Sequence, residues 1–271
     1  MANNDTIPKT LLVSFLLCGV CSLLVSVAAV SLKAAQERNK ALDKKESVLR
    51  VAGLIAEDQS PSADEIEKLY DEKVQVVAVD LATGDAVADY DVAKYDAKKL
   101  SRDLEASVEI PKDDDTGGIK RRPKVALAYL VRDAQQKLQV AILDVRGKGL
   151  WSTMWAFLAL EGDLTTVKGI KFYEHGETPG LGGEVDNPNW RKLWPGKKLY
   201  DAEGKMQIEV IKGVAPKDSP NEIDGLSGAT ITSRGVTELI KYWLGAHAYG
   251  PYLKKLKALD TPQGESGGLN G

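Results

Sequence analysis

Cysteine is scarce in this chain: its 271 residues include only Cys18 and Cys21, both inside an N-terminal apolar run. Three positions apart on one helix, the two thiols are poorly placed for a disulfide and behave better as small apolar residues. Histidine is equally scarce, with only His175 and His247. Two isolated histidines without nearby cysteine or paired carboxylates lack the spacing of a metal site. We therefore predict neither a disulfide scaffold nor a metal centre.

An excess of positive charge is also missing, because 36 basic residues face 39 acidic ones and the net charge is −3. This balance argues against nucleic acid as a partner. No Walker sequence and no serine–histidine–aspartate arrangement is apparent, and the run from Gly182 to Val185 lacks the spacing of a dinucleotide fingerprint. Three consecutive aspartates, Asp113–Asp115, lack the alternating ligand spacing of a calcium loop and predict a solvated loop. The chain itself is not expected to bind NADH.

The longest uncharged run, residues 11–32, would measure about 33 Å as a helix, enough to cross a bilayer. The alternative is a signal peptide, because Ser26, Val27 and Ala28 resemble a cleavage site. The run is longer than a typical signal core, and Lys9 is the only basic side chain before it. We predict one uncleaved transmembrane helix in contact with the lipid bilayer.

The rest of the chain reads as an α+β domain with a mostly antiparallel sheet covered by helices. Short connections between the predicted strands favour antiparallel pairing, since parallel crossovers need a dozen residues or more. Predicted strands cover residues 73–80, 125–131, 138–145, 153–160, 166–172 and 206–211, and predicted helices cover 63–72, the segment after 232, and 252–259. The expected organisation is an N-terminal tail (1–10), a transmembrane helix (11–32), a membrane-proximal helix and linker (33–60), the α+β domain (61–260) and a flexible tail (261–271).

The stretch from Asp224 to Ser233 gathers small residues and hydroxyls directly before a segment with helical apolar spacing. Glycine permits close backbone approach, and a helix N-terminus favours a phosphate through its free N–H groups and dipole. Without other signals, the same pattern is more often an ordinary capped helix start. The order Asp-x-x-Ser-Gly-Ala-Thr, ending at Thr230, resembles the acceptor site that flavin transferases modify.

Two further motifs carry the same resemblance: Gly-Leu-Trp-Ser at residues 149–152 and Glu-Thr-Pro-Gly-Leu-Gly at 177–182. Together the three motifs, in this order, resemble the FMN-binding subunits of respiratory flavoprotein complexes, and most closely the NqrC family of Na+-translocating NADH:quinone reductases. The resemblance spans nearly the whole chain. It implies an FMN-binding domain fold, and FMN esterified through its phosphate to Thr230.

The resemblance implies an electron-carrying member of a sodium-pumping complex in the bacterial inner membrane, whose other subunits (A, B, D, E and F) and a flavin transferase would be its partners. Asp224 is expected to serve recognition by the transferase. The remaining expected cofactor contacts fall into three groups. Around the phosphate we expect Ser227, Gly228, Ala229, Thr232 and Ser233. Around the isoalloxazine ring we expect Leu150, Trp151, Thr178, Pro179, Gly180, Leu181 and Gly182, and Lys212 is the candidate for the polar edge of the ring, where it would favour a reduced, anionic flavin.

Each of these assignments has a competing interpretation. A tryptophan after glycines often fills a core, a glycine-rich loop is often only a turn, and Lys212 can be an ordinary surface lysine. His175 could carry a flavin through its ring methyl group, a linkage known in other flavoenzymes. At the level of the whole protein, the alternatives are the homologous flavin subunit of a ferredoxin:NAD+ oxidoreductase, a membrane-anchored binding module without a redox role, and a receptor released after signal cleavage.

The orientation of the predicted transmembrane helix is ambiguous. Several basic residues, from Lys33 to Arg50, follow the apolar run, whereas Lys9 alone precedes it. The positive-inside rule would place the large domain in the cytoplasm. The family that the chain resembles has its flavin domain in the periplasm, and we expect the same here.

Overall fold

The computed structural model describes residues 6–260; the predicted tail at 261–271 and the first half of the predicted N-terminal tail, residues 1–5, lie outside this range. Six α-helices occur in the described part, at Ile7–Val51 (α1), Ala63–Lys73 (α2), Ala97–Arg102 (α3), Pro188–Arg191 (α4), Thr230–Leu244 (α5) and Gly250–Asp260 (α6). Nine strands occur there, at Val74–Asp80 (β1), Ser107–Glu109 (β2), Arg121–Pro123 (β3), Val125–Arg132 (β4), Leu138–Lys148 (β5), Thr153–Glu161 (β6), Val167–Glu174 (β7), Glu209–Val210 (β8) and Glu222–Ile223 (β9).

Helix α1 is the one helix in the described part that is long and apolar enough to cross a membrane. Its apolar side chains from Ile7 to Leu32 are exposed to the surroundings. Residues up to Lys44 form one unit, and the chain from Lys45 onward forms a second, compact unit. The last turns of α1 belong to that second unit, where Val48 and Leu49 are fully buried. Gly53, with a positive φ of 76°, lies two residues after the last residue of the helix, Val51.

The core of the compact unit is a five-stranded antiparallel sheet in the order β1-β4-β5-β6-β7. Strands β5 and β6 are buried along nearly their whole length, because both faces of the sheet are covered. On one face, α5 packs against β5. On the other face, the rings of Tyr129 and Tyr173 flank Phe157, with centroids 5.6 and 4.7 Å from it. The predicted α+β class with an antiparallel sheet and covering helices is confirmed.

Two local predictions need correction. The strand predicted at 206–211 is reduced to β8, which pairs in parallel with the equally short β9, while Met206 forms only an isolated bridge with Tyr200. Its alternating apolar pattern suits a longer strand, but β9 offers only two residues for pairing. The strand predicted at 138–145 is also longer in the structure, since β5 continues to Lys148 opposite Thr153 of β6.

Candidate functional site

The turn from Ser227 to Thr230 leads directly into α5 and presents its hydroxyls to solvent. Thr230 is the first residue of α5, and both Ser227 and Thr230 are exposed. Ala229, at the N-cap, has no side-chain oxygen, and no side chain of the described residues caps the helix. The N–H groups of the first turn have no intrahelical partner, so this helix start is open to an anion.

Close approach explains the glycines of this turn. A Cβ atom on Gly225 would lie 2.2 Å from the carbonyl oxygen of Ile211, so only glycine fits beside the β8 segment. Gly228 has a φ of 69°, and a Cβ there would lie 2.9 Å from Cδ2 of Leu181. The turn before α5 therefore packs directly against the loop that contains Leu181.

The hydroxyls of Thr232 and Ser233, two residues expected around a phosphate, bond to neighbouring loops in this structure. Both residues are buried. The Thr232 hydroxyl donates to Oε2 of Glu177 at 2.7 Å, and the Ser233 hydroxyl oxygen accepts from the Leu226 N–H at 3.0 Å. Thr232 points to the loop of Glu177, whereas Ser233 lines the same groove as Thr230. Their role in the fold is to hold neighbouring loops to α5.

Glu177 joins the three sequence motifs, although sequence reasoning assigned it no function. Its carboxylate accepts the backbone N–H groups of Leu150 (3.1 Å), Trp151 (3.0 Å) and Ser152 (3.0 Å), as well as the hydroxyl of Thr232 (2.7 Å). The side chain is 5% exposed. We call this set of hydrogen bonds the Glu177 clamp. An acid at the head of a glycine-rich motif was the signal available in the sequence.

The hydrogen bonds of the clamp favour the ionised form of the Glu177 carboxylate. Burial disfavours the ionised carboxylate, but the hydrogen bonds from Thr232 and the three backbone N–H groups outweigh it and lower the pKa of Glu177 below its ordinary value. Two glycines make room for the clamp: a Cβ on Gly149 would lie 2.5 Å from Oε1 of Glu177, and one on Gly182 would lie 2.6 Å from the Thr232 hydroxyl. Gly182 is thus buried against the clamp and does not line the open surface.

Three large apolar side chains remain exposed around the clamp. Leu150, Trp151 and Leu181 are 42%, 67% and 43% exposed. Trp151 is therefore not a core residue, which was the competing interpretation. Thr178, Pro179 and Gly180 are also exposed, and the turn they form is closed by the Leu181 N–H, which donates to the Thr178 carbonyl at 3.1 Å. The side chains of Leu150, Trp151 and Leu181 form an apolar surface next to the start of α5.

A groove with a volume of about 700 Å³ runs beside Thr230. Lys212 and Gly213 line one part of it, and residues 224–228 line another. Arg234, exposed on the first turns of α5, also lines it. Sequence reasoning missed Arg234; its place beside Thr230 follows from the helical repeat of four residues. The groove therefore brings two cations together with the open helix start and the Thr230 hydroxyl. Three acidic residues also line it, Glu209, Asp224 and Glu238.

Asp224 has a structural task in this loop. Its carboxylate accepts the Ala215 N–H at 2.8 Å, and its carbonyl oxygen accepts the indole N–H of Trp190 at 2.8 Å. The two bonds tie the loop before α5 to Ala215 and to α4.

The two histidines lie apart. His175 has both ring nitrogens engaged, Nδ1 accepting the Glu177 N–H at 3.2 Å and Nε2 bonded to Asp186 at 2.8 Å. His247 lies 3.6 Å from Asp114 and is largely exposed. Among residues 6–260 no group of histidine, cysteine and carboxylate side chains is arranged to hold a metal ion.

Comparison with known proteins identifies the family to which this chain belongs. A model of the FMN-binding domain matches residues 149–245, from the Gly149 motif to the end of α5. The NqrC protein of the Na(+)-translocating NADH-quinone reductase of Yersinia pestis is 44% identical over 94% of this chain and 95% of its own length. Its counterpart from Pseudomonas aeruginosa is 45% identical over 95% of this chain and 98% of its own. This chain belongs to the NqrC family of Na+-translocating NADH:quinone reductases.

The solved structures agree with the family assignment. The crystal structure of Shewanella oneidensis NqrC superposes with a TM-score of 0.74 at 33% identity, covering 83% of this chain and 99% of that one. The equivalent protein from Parabacteroides distasonis gives a TM-score of 0.62 at 26% identity, covering 82% and 96%. The chain is therefore part of an oxidoreductase complex and contains an FMN-binding domain, and α1 fits a single pass through the membrane of that complex.

Proposed function

We propose that this protein carries FMN through a phosphoester to the Thr230 hydroxyl and transfers electrons within the Na+-translocating NADH:quinone reductase. The observation that carries the proposal is the surrounding of Thr230. An exposed hydroxyl stands on an uncapped helix start, directly beside a turn that packs against Leu181. Within the FMN-binding domain, an exposed hydroxyl, free N–H groups that suit an anion and an exposed apolar surface thus occur together, which supports the proposal.

The residues present fit FMN. The free N–H groups at the start of α5 suit a phosphate, and Lys212 and Arg234 in the same groove add positive charge. The exposed faces of Leu150, Trp151 and Leu181 offer the apolar walls that a flat ring needs. Lys212 is proposed to meet the polar edge of the ring, and Thr178, Pro179 and Gly180 to border it.

The division of labour follows from these contacts. When bound, the flavin accepts and donates the electrons. The protein holds it in place, excludes water from one side of the ring and tunes its potential through nearby charge. A covalent bond prevents loss of the cofactor by dilution. The proposed partners are the other members of the complex (A, B, D, E and F), a flavin transferase and the lipid bilayer.

The proposed attachment is tested by peptide mass analysis. Trypsin releases residues 218–234 as one peptide, because Lys217 and Arg234 are the flanking cleavage points. Protein produced together with an active flavin transferase should yield this peptide with the added mass of FMN less one water. Fragmentation should assign the addition to Thr230, and Thr230→Val should lose it completely, because valine keeps the shape but removes the hydroxyl.

Matched variants make the assignment specific. Ser219→Ala removes a hydroxyl from the same tryptic peptide, outside the motif that ends at Thr230, and should retain the flavin. Thr230→Ser keeps a hydroxyl at the attachment position and should retain at least part of it. A flavin that remains covalently bound in the Thr230→Val protein, at His175 or elsewhere, would show that the proposed attachment site is wrong.

We also propose that Asp224 contributes to recognition by the transferase, in addition to its bond with Ala215. Asp224→Asn keeps an oxygen that can accept the Ala215 N–H, so the loop should stay folded while the negative charge is lost. Flavin incorporation by the transferase should then slow by about tenfold or more, in line with loss of a charged contact. Equal rates of incorporation in the variant and the parent protein would restrict Asp224 to its structural role.

A further inference from the structure

The loop at residues 149–152, which carries Leu150 and Trp151, is called the flavin loop. A second groove, with a volume of about 1030 Å³, lies next to this loop and is lined by basic side chains. The protein as a whole carries a net charge of −3, so a local cluster of positive charge is not expected from its composition. The cations come from α3, from the loop before and start of β3, and from the end of β5; they are Lys98, Arg102, Lys120, Arg121, Arg146 and Lys148. We call it the basic groove.

Three of these cations have no counterion among the residues that the structure describes. Lys98 pairs with Glu174, and Arg121 lies 3.7 Å from Glu109. Arg102, Lys120 and Lys148, by contrast, form no ion pair within residues 6–260, and all three are exposed. Because they belong to three separate segments, they line different parts of the groove. This distribution suits an extended ligand with several negative charges better than a single small anion.

Arg146 lines the groove from a buried position. Its guanidinium carbon lies 4.7 Å from the ring centre of Trp155, and Nη2 donates to the Arg121 carbonyl at 2.7 Å. The residue is 6% exposed, and its Nε has no hydrogen-bond partner in the described part of the chain. A buried cation with an unused donor is costly for folding. The charge of Asp144, buried two residues away on β5, offsets part of this cost, and negative charge bound in the groove would offset more.

The basic groove borders the flavin loop. Ser152 and Gly176 line it, and the Gly176 N–H donates to the Ser152 hydroxyl at 2.7 Å. Ser152 in turn donates its backbone N–H to the Glu177 clamp. A protein segment seated in the groove would therefore abut the loop that carries Leu150 and Trp151.

We propose that the basic groove is the docking site for an aspartate- and glutamate-bearing segment of another subunit of the reductase. Complementary charge orients partners and fixes their register, which an electron carrier needs. The proposal rests on the membership of this chain in the complex and not on how FMN is attached, so the two can fail separately. The interaction should weaken with ionic strength, because exposed charges are screened by salt.

The test is zero-length cross-linking of the purified complex with a carbodiimide, which joins a lysine amine to a carboxylate in direct contact. Lys120 or Lys148 should be coupled to an aspartate or glutamate of another subunit, identified by mass spectrometry. The yield should fall as salt is raised. In the double variant Lys120→Glu and Lys148→Glu, this coupling should be absent, and retention of the protein in the complex should weaken on the order of tenfold.

A control variant reverses the charge of two lysines that lie outside the basic groove. Lys137→Glu with Lys254→Glu changes two exposed lysines outside the groove, Lys137 at the opposite end of β5. This variant should keep both the coupling and the complex. Flavin content is measured in each sample, so loss of the cofactor is distinguished from loss of docking.

Two results would overturn the proposal. One is coupling of other lysines in the same sample while Lys120 and Lys148 stay unmodified by any subunit. The other is saturable binding of inorganic phosphate to the intact protein that is abolished by Arg102→Gln, since this would identify a small-anion site.

Discussion

The carboxylate of Glu177 links the three sequence motifs of this protein through hydrogen bonds. Leu150 and Trp151 precede it by more than twenty residues and Thr232 follows by more than fifty, yet its two carboxylate oxygens bond to all of them. Charge-assisted hydrogen bonds of this kind are stronger than neutral ones, and burial raises the cost of leaving any donor unpaired. The clamp therefore fixes the exposed apolar loop relative to the start of α5.

Glu177→Gln should destabilise the domain by about 2 to 3 kcal/mol, because the amide group turns an acceptor oxygen into a donor that faces other donors. The pH dependence has a defined sign. Since the pKa of Glu177 is lowered on folding, its contribution is present above the ordinary glutamate value of 4.5 and is lost as pH falls through the lowered value. Urea unfolding between about pH 3 and pH 7 measures both effects.

The matched change is Glu203→Gln, which alters an exposed glutamate. It should leave the free energy of unfolding within about 0.5 kcal/mol of the parent value. If the stability curves of the Glu177→Gln protein and its parent run parallel across the acid range, the carboxylate is not the charged centre of the clamp.

At the scale of single residues, the sequence predicted which residues belong to the candidate site but not which way each side chain points. Motif resemblance selected the exposed Thr230, Leu150, Trp151 and Leu181, because such motifs record the residue types that a ligand site needs. It also selected Thr232 and Ser233, whose hydroxyls bond inward. Sequence spacing cannot tell an inward hydroxyl from an outward one at the start of a helix, because that depends on which helix face meets the sheet.

Helix α5 and strand β5 approach each other unusually closely, and glycine permits it on both sides. A Cβ on Gly147 would lie 2.4 Å from Cβ of Leu239, and one on Gly235 would lie 2.3 Å from the carbonyl oxygen of Lys148. The contact sets the distance between the first turns of α5, with Thr230, and the loop that follows β5. The Trp243 indole N–H adds a bond to the Arg146 carbonyl at 2.7 Å.

Gly235→Ala tests the importance of this approach. Alanine should favour the helix itself by about 1 kcal/mol, yet the clash with backbone should cost more, giving a net loss of about 1 to 3 kcal/mol. The start of α5 should move away from the flavin loop, so flavin incorporation should fall as well. Thermal unfolding and flavin absorbance measure the two effects.

Gly204→Ala is the control, because no described atom lies within 4 Å of its added Cβ, only its positive φ is strained, and it lies outside the proposed flavin site. It should cost about 1 kcal/mol without displacing α5. A Gly235→Ala protein with parental stability and full flavin content would mean that the helix accommodates the methyl group without moving.

Elements with strong periodicity were predictable, and those that depend on pairing were not. The apolar alternation and short turns of β4 to β7 gave the antiparallel sheet, and Ser62 with Glu65 forms the capping box that begins α2. By contrast, Met206 and its neighbours have a strand pattern, but β9 supplies only two pairing residues. The basic groove was also beyond prediction, since its cations come from segments far apart in sequence.

For the whole molecule, the chain order is one apolar helix followed by one compact domain. In that domain the five-stranded sheet carries the loop of Leu150 and Trp151, and the β8–β9 pair precedes the segments of Lys212 and Asp224. The predicted boundaries at residues 32 and 60 stay predictions, while packing begins earlier, at Lys45. The property that matters most at this scale is the side of the membrane on which the domain lies. Basic residues after the apolar run favour the cytoplasm, whereas we propose the periplasm from family membership.

Cysteine labelling can determine the orientation cleanly, because the chain has no cysteine outside residues 18 and 21. Lys137→Cys introduces a single exposed thiol in the turn before β5. In spheroplasts, a membrane-impermeant maleimide should label this protein fully before lysis, and the parent protein should stay unlabelled. Labelling of Lys137→Cys only after lysis would place the domain in the cytoplasm, and the basic residues after α1's apolar run would then have decided the topology.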